Sequence, residues 1–297
     1  FGLLAPLLFL TVGTLIASAA PLRVLYFTKS SGFEHSVVKR TDGKPSHSEK
    51  ILSDLAAAHD IDFTFSKDGS LFSKDYFSSF DVIMFYTSGD LLSVGTDGHP
   101  AVTPNGKQAL LDAIADGKGF VSVHSGSDTF HTLESGGGNR GDRSTRYKNY
   151  GKDADPFIQM LGGEVINHGK QHAARARVID PSFPGFRELG THLECLEEWY
   201  SLKEFAPDLH VLLVTETEGM TGVDYQRPPY PLAWARLHGK GRVWYHAHGH
   251  REDTWTEAKF QGVLLAAIKW AGRRIDADVT PNLATAAPGA ATLPTAR

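Results

Sequence analysis

Four places in the chain gather side chains able to move protons or bind metals, and each follows an apolar run. In GKGFVSVHSGSDTFH (117–131), Phe120 to Val123 give way to His124, Ser125, Ser127, Asp128 and His131 around one glycine. Phe33-Glu34-His35 follows the run LRVLYF (22–27), with Gly32 free to turn the backbone sharply. His168-Gly-Lys-Gln-His172 comes just after Gly162-Gly163, and Tyr245-His-Ala-His-Gly-His250 sets imidazoles at every second position. Neutral imidazole suits proton transfer near pH 7 and is also a common ligand of zinc, copper and nickel.

Each constellation has a plainer reading. Serine beside histidine invites a Ser-His-Asp triad with Ser125 as nucleophile, but triads assemble from side chains that converge in space, and Ser127 and Asp128 also suit a helix N-terminus. Glu34 and His35 could form an acid–base pair, yet neighbours in sequence seldom point the same way, so a surface loop competes. The HxxxH spacing of His168 and His172 lacks the glutamate of HExxH, and Gly169 disfavours a continuous helix. His246, His248 and His250 would share one face of an extended strand but span too far to ligate one ion unless the chain bends; Gly249 offers the bend. A hybrid site combining one of them with His124, His168 or His172 fits better. Cys195, in HLECLEEWY, has no strand-to-glycine turn around it and reads as a buried structural thiol.

These residues need a frame. Residues 22–27, 61–65, 81–86 and 119–124 read as strands, and 48–59 and 103–115 as helices, with Ser46 or Ser48 as cap for the first and Thr103-Pro104 opening the second. Such alternation implies a parallel sheet covered on both faces: an α/β, doubly wound, flavodoxin-like domain with decorated loops. Ligands in such sheets bind beyond the carboxyl ends of the strands, where all four constellations lie. The second half is less regular. A helix is expected over 155–161, strands over 173–179, 211–214, 232–237 and 242–246, and an amphipathic helix over 256–271. The polar segment 136–155 is too long for a simple connector and reads as a flap or insertion.

Composition narrows the partners. The chain has 297 residues, 41% hydrophobic and 22% charged, with net charge −4 and no basic stripe for a nucleic acid. Residues 1–20 are apolar and end in Ala-Ser-Ala-Ala, the pattern of a cleaved secretory signal, which predicts a secreted or periplasmic protein with no stable membrane span. Residues 276–297, rich in Ala, Thr and Pro, are expected to be a disordered tail. One cysteine permits no intrachain disulfide. Self-association is left open. Trp199, Tyr200, Trp234, Trp244 and Trp255 could stack on pyranose rings, with carboxylates and imidazoles taking the hydroxyls; the competing reading is that tryptophans fill the core.

The order of motifs GFEHS, DVIMFYTSGD, GKGFVSVHSGSDT, LGGEVINHGKQH, EEWY, PLAWARLHGKGRVWYHAHGH and FQGVLLAAIKWAG resembles the ThuA-like (trehalose-utilisation) family over residues 22–272. The resemblance implies a class I glutamine-amidotransferase-like fold and a role in carbohydrate metabolism on sugars or keto-sugars. Where amidotransferases carry a nucleophilic cysteine, this chain has His124-Ser125, so it is not a glutamine amidotransferase. Carried over motif by motif, the site comprises His35, His124, Asp128, His168, His172, Glu198, Trp234 and His250, with Ser125, Trp199, Tyr200 and Tyr245 as further substrate contacts. The expected function is acid–base catalysis on a small carbohydrate by histidines and Glu198. A divalent metal on the histidines is a variant of that chemistry, and a non-catalytic carbohydrate-binding protein is the alternative.

Overall fold

In the computed structural model, residues 20–132 and 143–295 are described. Among the described residues eleven strands run in chain order: β1 (Leu22–Phe27), β2 (Ile61–Ser66), β3 (Val82–Phe85), β4 (Gly119–Val123), β5 (Glu164–His168), β6 (His172–Val178), β7 (His192–Glu197), β8 (Tyr200–Lys203), β9 (His210–Thr215), β10 (Tyr230–His238) and β11 (Gly241–His246). Nine form one sheet in the order β2-β1-β3-β4-β11-β10-β9-β6-β7. From β2 to β11 every pairing is parallel, and from β11 to β7 every pairing is antiparallel. The parallel half has the flavodoxin-like strand order. β5 and β8 pair separately.

Burial on both faces explains the unbroken apolar runs of the parallel strands. Every residue of β3 and β4 is buried, and Phe85 packs its ring against Phe27, Phe72, Phe120 and Phe157. Seven helices complete the described chain: α1 (His47–His59), α2 (Lys74–Ser78), α3 (Pro104–Ala115), α4 (Pro156–Leu161), α5 (Glu252–Thr256), α6 (Ala258–Ala271) and α7 (Leu283–Ala286). The contacts join α1, α5 and α6 in one layer and α2, α3 and α4 in another. Ser46 caps α1 in a reciprocal box with Glu49, and Thr103 caps α3 with Pro104 at its first position.

Three expectations need adjustment. The helix expected over 256–271 starts two residues later, as α6, because the extended backbone of Glu257 separates it from α5. β5, β7 and β8 escaped the strand reading because their sequences, EVINH, HLECLE and YSLK, mix polar with apolar residues and form no apolar run. The C-terminal segment, expected to be disordered, packs as far as Pro294, which is buried. The Asn282 side chain bonds both Val211 N and Val211 O (2.7 and 3.1 Å), Arg227 donates to Ala290 O at 2.7 Å, and Ala286, Ala287 and Ala290 are buried. A segment too poor in large apolar residues to build a core can still join one through alanines and a few hydrogen bonds. The expected signal segment, except Ala20, and the first part of the expected flap lie outside the described residues; Arg143–Tyr147 and Gly151–Asp153 form single 3₁₀ turns. No helix among the described residues is long and apolar enough to cross a membrane.

Candidate active site

Four chain segments end at one point beyond the carboxyl ends of the parallel strands. His35 closes the loop after β1, His124 is the first residue after β4, Glu198 the first after β7, and His250 lies four residues beyond β11. One ligand atom from each of His35, His124, Glu198 and His250 lies within 4.8 Å of the others. Glu198 Oε2 is 3.4 Å from His124 Nε2 and 3.1 Å from His250 Nδ1, and its other oxygen is 3.2 Å from His168 Nδ1. His35 stands edge-on to the rings of His124 and His250. Five of the seven residues expected to be catalytic therefore meet, drawn from positions 35 to 250.

Local backbone explains how they meet. His124 holds φ +48°, a left-handed conformation costly for a residue with a branched ring, and it starts the tight 3₁₀ turn to Asp128. Its Nδ1 lies 2.7 Å from Ala247 O, which fixes the ring so that Nε2 faces Glu198 in the cluster. His168 ends β5 directly opposite Tyr200 of β8, and its ring stacks on Tyr200, whose other neighbour is His124 at 4.2 Å. Gly249 makes the bend that frees His250 from the line of β11. Its φ is +123°, and a Cβ there would meet Val123 Cγ1 at 2.9 Å.

Glu197 was not foreseen, although it neighbours Glu198. Its Oε1 accepts from Gly249 N, His250 N and Thr254 Oγ1 at 2.9, 3.1 and 3.0 Å, while Oε2 accepts from Glu198 N at 2.7 Å. One carboxylate thus ties the end of β7 to the end of β11, fixing Glu198 against His250. Tyr86 was also missed: it donates to Gly249 O at 3.0 Å and packs against His35 and His124. For Tyr86 the signal was its place at the end of an expected strand; Glu197 gave none, because β7 was not read as a strand.

The electrostatics follow from burial among imidazoles. Burial alone would raise the Glu198 carboxyl, but His124, His250 and His168 outweigh it and hold Glu198 well below the ordinary carboxylate range. Burial, reinforced by His124 and His250, pushes His35 well below the usual imidazole range. His250 is also pushed down by burial, but the Glu198 carboxylate turns the net shift upward.

The remaining expected residues lie elsewhere. His172 has its Nδ1 2.9 Å from Lys170 O and its ring against Tyr225, away from the cluster. Ser125 is fully buried, and its Oγ has no hydrogen-bond partner, so no imidazole activates it. Trp199, Trp234 and Tyr245 are 0% exposed. Trp199 and Trp234 donate to His172 O and Leu161 O, and Tyr245 donates to His124 O. These rings are built into the core and offer no face to a sugar. Tyr200 is buried as well but forms the wall between His124 and His168. His246 and His248 turn away from the cluster; His248 Nδ1 lies 3.6 Å from Cys195 Sγ, whose thiol burial pushes far up.

Asp128 engages a second network. His131 places Nε2 at 2.5 Å from Asp128 and Nδ1 at 2.7 Å from Glu164, whose other oxygen is 3.4 Å from Lys203. Burial opposes the charge on His131, but the two carboxylates prevail and push it up to about 9 from 6.5. Between these values the folded protein keeps a proton that the unfolded chain has lost, so stability falls as pH rises. The contribution is full below 6.5 and gone above 9, about 3 kcal/mol in all. Denaturant unfolding at pH 6.5 and 9 should show this loss, and His131→Gln should flatten it. An equal pH dependence in the variant would remove His131 as its source.

A parallel sheet in flavodoxin-like order, with an imidazole–carboxylate cluster beyond its carboxyl ends, defines the class: an α/β fold whose candidate site lies beyond the carboxyl ends of its parallel strands. Within that class the chain belongs to the ThuA family, described by trehalose utilisation, whose model matches residues 23–271. A ThuA-like protein from Bacteroides uniformis has the same fold (TM-score 0.59, 15% identity, covering 87% of this chain and 95% of that one). A ThuA-like protein from Parabacteroides merdae is similar (TM-score 0.54, 16% identity, 93% and 98%). So is a cytoplasmic protein from Salmonella typhimurium LT2 (TM-score 0.51, 14% identity, 85% and 98%). No curated protein matches the sequence.

Proposed function

We propose that this protein is a carbohydrate-active enzyme whose centre is a divalent metal held by His35, His124, Glu198 and His250, acting on a sugar or keto-sugar. The observation that carries the proposal is the convergence of these four side chains: one ligand atom of each lies within 4.8 Å of the others, and His124 Nε2 is buried 3.4 Å from Glu198 while Nδ1 sits 2.7 Å from Ala247 O. Ligand atoms around a tetrahedral zinc lie about 3.4 Å apart, which the 3.1 and 3.4 Å separations at Glu198 approach. Three imidazoles and one carboxylate suit zinc or another borderline divalent ion. Such an ion would polarise a carbonyl or hydroxyl oxygen. The protein's own groups orient the substrate and exclude water, and His168, with 42% of its side chain exposed at the rim beside Glu198, can exchange a proton with a substrate hydroxyl. The sugar class rests on the family description.

Elemental analysis of the purified protein, with thermal unfolding before and after chelation, tests the centre. One zinc-like ion per chain is expected. Its removal should lower Tm, because a ligand that binds only the folded state stabilises it. A metal-free protein indifferent to added zinc, manganese and nickel would overturn the metal centre and leave imidazole–carboxylate acid–base catalysis. The alternative, a non-catalytic sugar-binding protein, predicts sugar binding with no turnover across the same sugars.

A further inference from the structure

The aromatic residues expected to hold a sugar are buried, and Phe33 is not. It is 62% exposed, the one aromatic ring among the exposed large apolar side chains of the described residues. Its ring stands edge-on to His35 with centroids 4.9 Å apart, so it borders the cluster. Leu92 and Val94, on the adjoining loop, are exposed too (38% and 75%).

An exposed ring on a loose loop would mean little, but this loop is tethered on several sides. Ser88 Oγ donates to Phe33 O at 2.6 Å, Thr96 Oγ1 donates to Gly32 O at 2.7 Å, and both Ser31 N and Gly32 N donate to Ser88 O. Next to Phe33, Glu34 is bound by Lys67 at 3.2 Å, and the same ammonium donates to Thr28 O. Gly32 and Gly89 run so close that a Cβ on Gly89 would meet Gly32 N at 2.5 Å. The backbone that carries the ring is therefore held in place before any ligand arrives, which lowers the entropy cost of using it.

We infer that Phe33 is the platform on which the apolar face of a pyranose ring rests, with the ring's hydroxyl edge turned toward His35, Glu198 and His168. The inference rests on the proposed sugar chemistry and specifies how that substrate is held. A pyranose has a C–H face and a hydroxyl rim, and the site offers an apolar ring beside an imidazole–carboxylate cluster. A fully polar or ionic substrate would gain nothing from Phe33, and a purely apolar one nothing from the cluster.

Saturation-transfer NMR with trehalose, glucose and 3-ketoglucose as probes tests it, on the wild type, Phe33→Ala and Phe33→Trp, with metal content measured in each. The expected result is saturation strongest on the C–H protons of one pyranose face, about tenfold weaker binding in Phe33→Ala, and retention in Phe33→Trp. Equal metal content would show the cluster intact. Binding by the wild type with undiminished binding by Phe33→Ala overturns the platform while leaving the sugar chemistry standing. No binding of any probe by the wild type overturns both. Self-association in sedimentation that disappears in Phe33→Ala, without a change in sugar affinity, would make Phe33 a contact between copies and overturn the platform.

Discussion

His124→Asn should lose divalent-ion affinity by more than about a hundredfold, and turnover with it, while the protein remains folded. Losing a group that merely orients a metal-binding histidine costs about 10- to 100-fold in affinity, and His124 is proposed as a ligand itself. Asparagine is the informative substitution because the backbone here is left-handed, at φ +48°, a conformation asparagine adopts more readily than alanine. The shorter side chain cannot place a donor atom 3.4 Å from Glu198 as Nε2 does. Zinc titration followed by calorimetry, with circular dichroism as the control for folding, reads the outcome. Glu198→Gln should behave alike, since a carboxamide brings no charge to the cluster. Unchanged affinity in both variants would remove the four-residue centre from consideration.

The second large effect is on stability. Glu164→Ala should destabilise the fold by about 3–5 kcal/mol, lowering Tm by roughly 10 °C. Glu164 is fully buried between His131 and Lys203, and Lys203 is fully buried too. Removing the carboxylate leaves two buried cations facing each other, with Lys203 retaining Lys148 O at 2.8 Å and the Tyr150 ring. The pair itself need not be worth that much, since two apolar residues of similar shape can replace a buried ion pair at little cost. The double variant Glu164→Leu with Lys203→Met should therefore recover part of the loss, and the double-mutant cycle isolates the coupling. A loss under about 1 kcal/mol for Glu164→Ala would mean that water reaches the site and compensates the charges.

Much of the parallel half was legible from local pattern. β1, β3 and β4 are short, apolar and bounded by polar residues, because both faces of each are covered. The site was legible in part as a set of strand ends, which gave His35, His124, His168 and His250, while Glu198 came from the family resemblance. What a linear reading lacked was distance. Nothing near His172 in sequence says that β6 pairs with β7 and β9, on the antiparallel side, whereas His168 ends a separate two-stranded sheet beside the cluster. The aromatic residues misled for a related reason: Trp199, Trp234 and Tyr245 have the composition of a sugar platform, but their polar atoms are consumed by backbone carbonyls and by Ser127. The buried network of His131 was hidden in the same way, since Glu164 is 33 residues away and Lys203, which pairs with Glu164, further still.

The side chain of Asn282 covers a gap at the edge of β9. β6 pairs with β9 only from Leu213 to Thr215, so Val211, nearer the start of β9, has no strand beside it on that flank. An unpaired N–H and C=O on a strand are an invitation for a foreign strand to add on, the first step of aggregation. The Asn282 amide supplies one acceptor and one donor, as a neighbouring peptide unit would, and occupies both groups of Val211. A residue beyond the family-matched region thus works as a one-residue β-strand, and a chain cut short at Gly272 would carry an open sheet flank into solution.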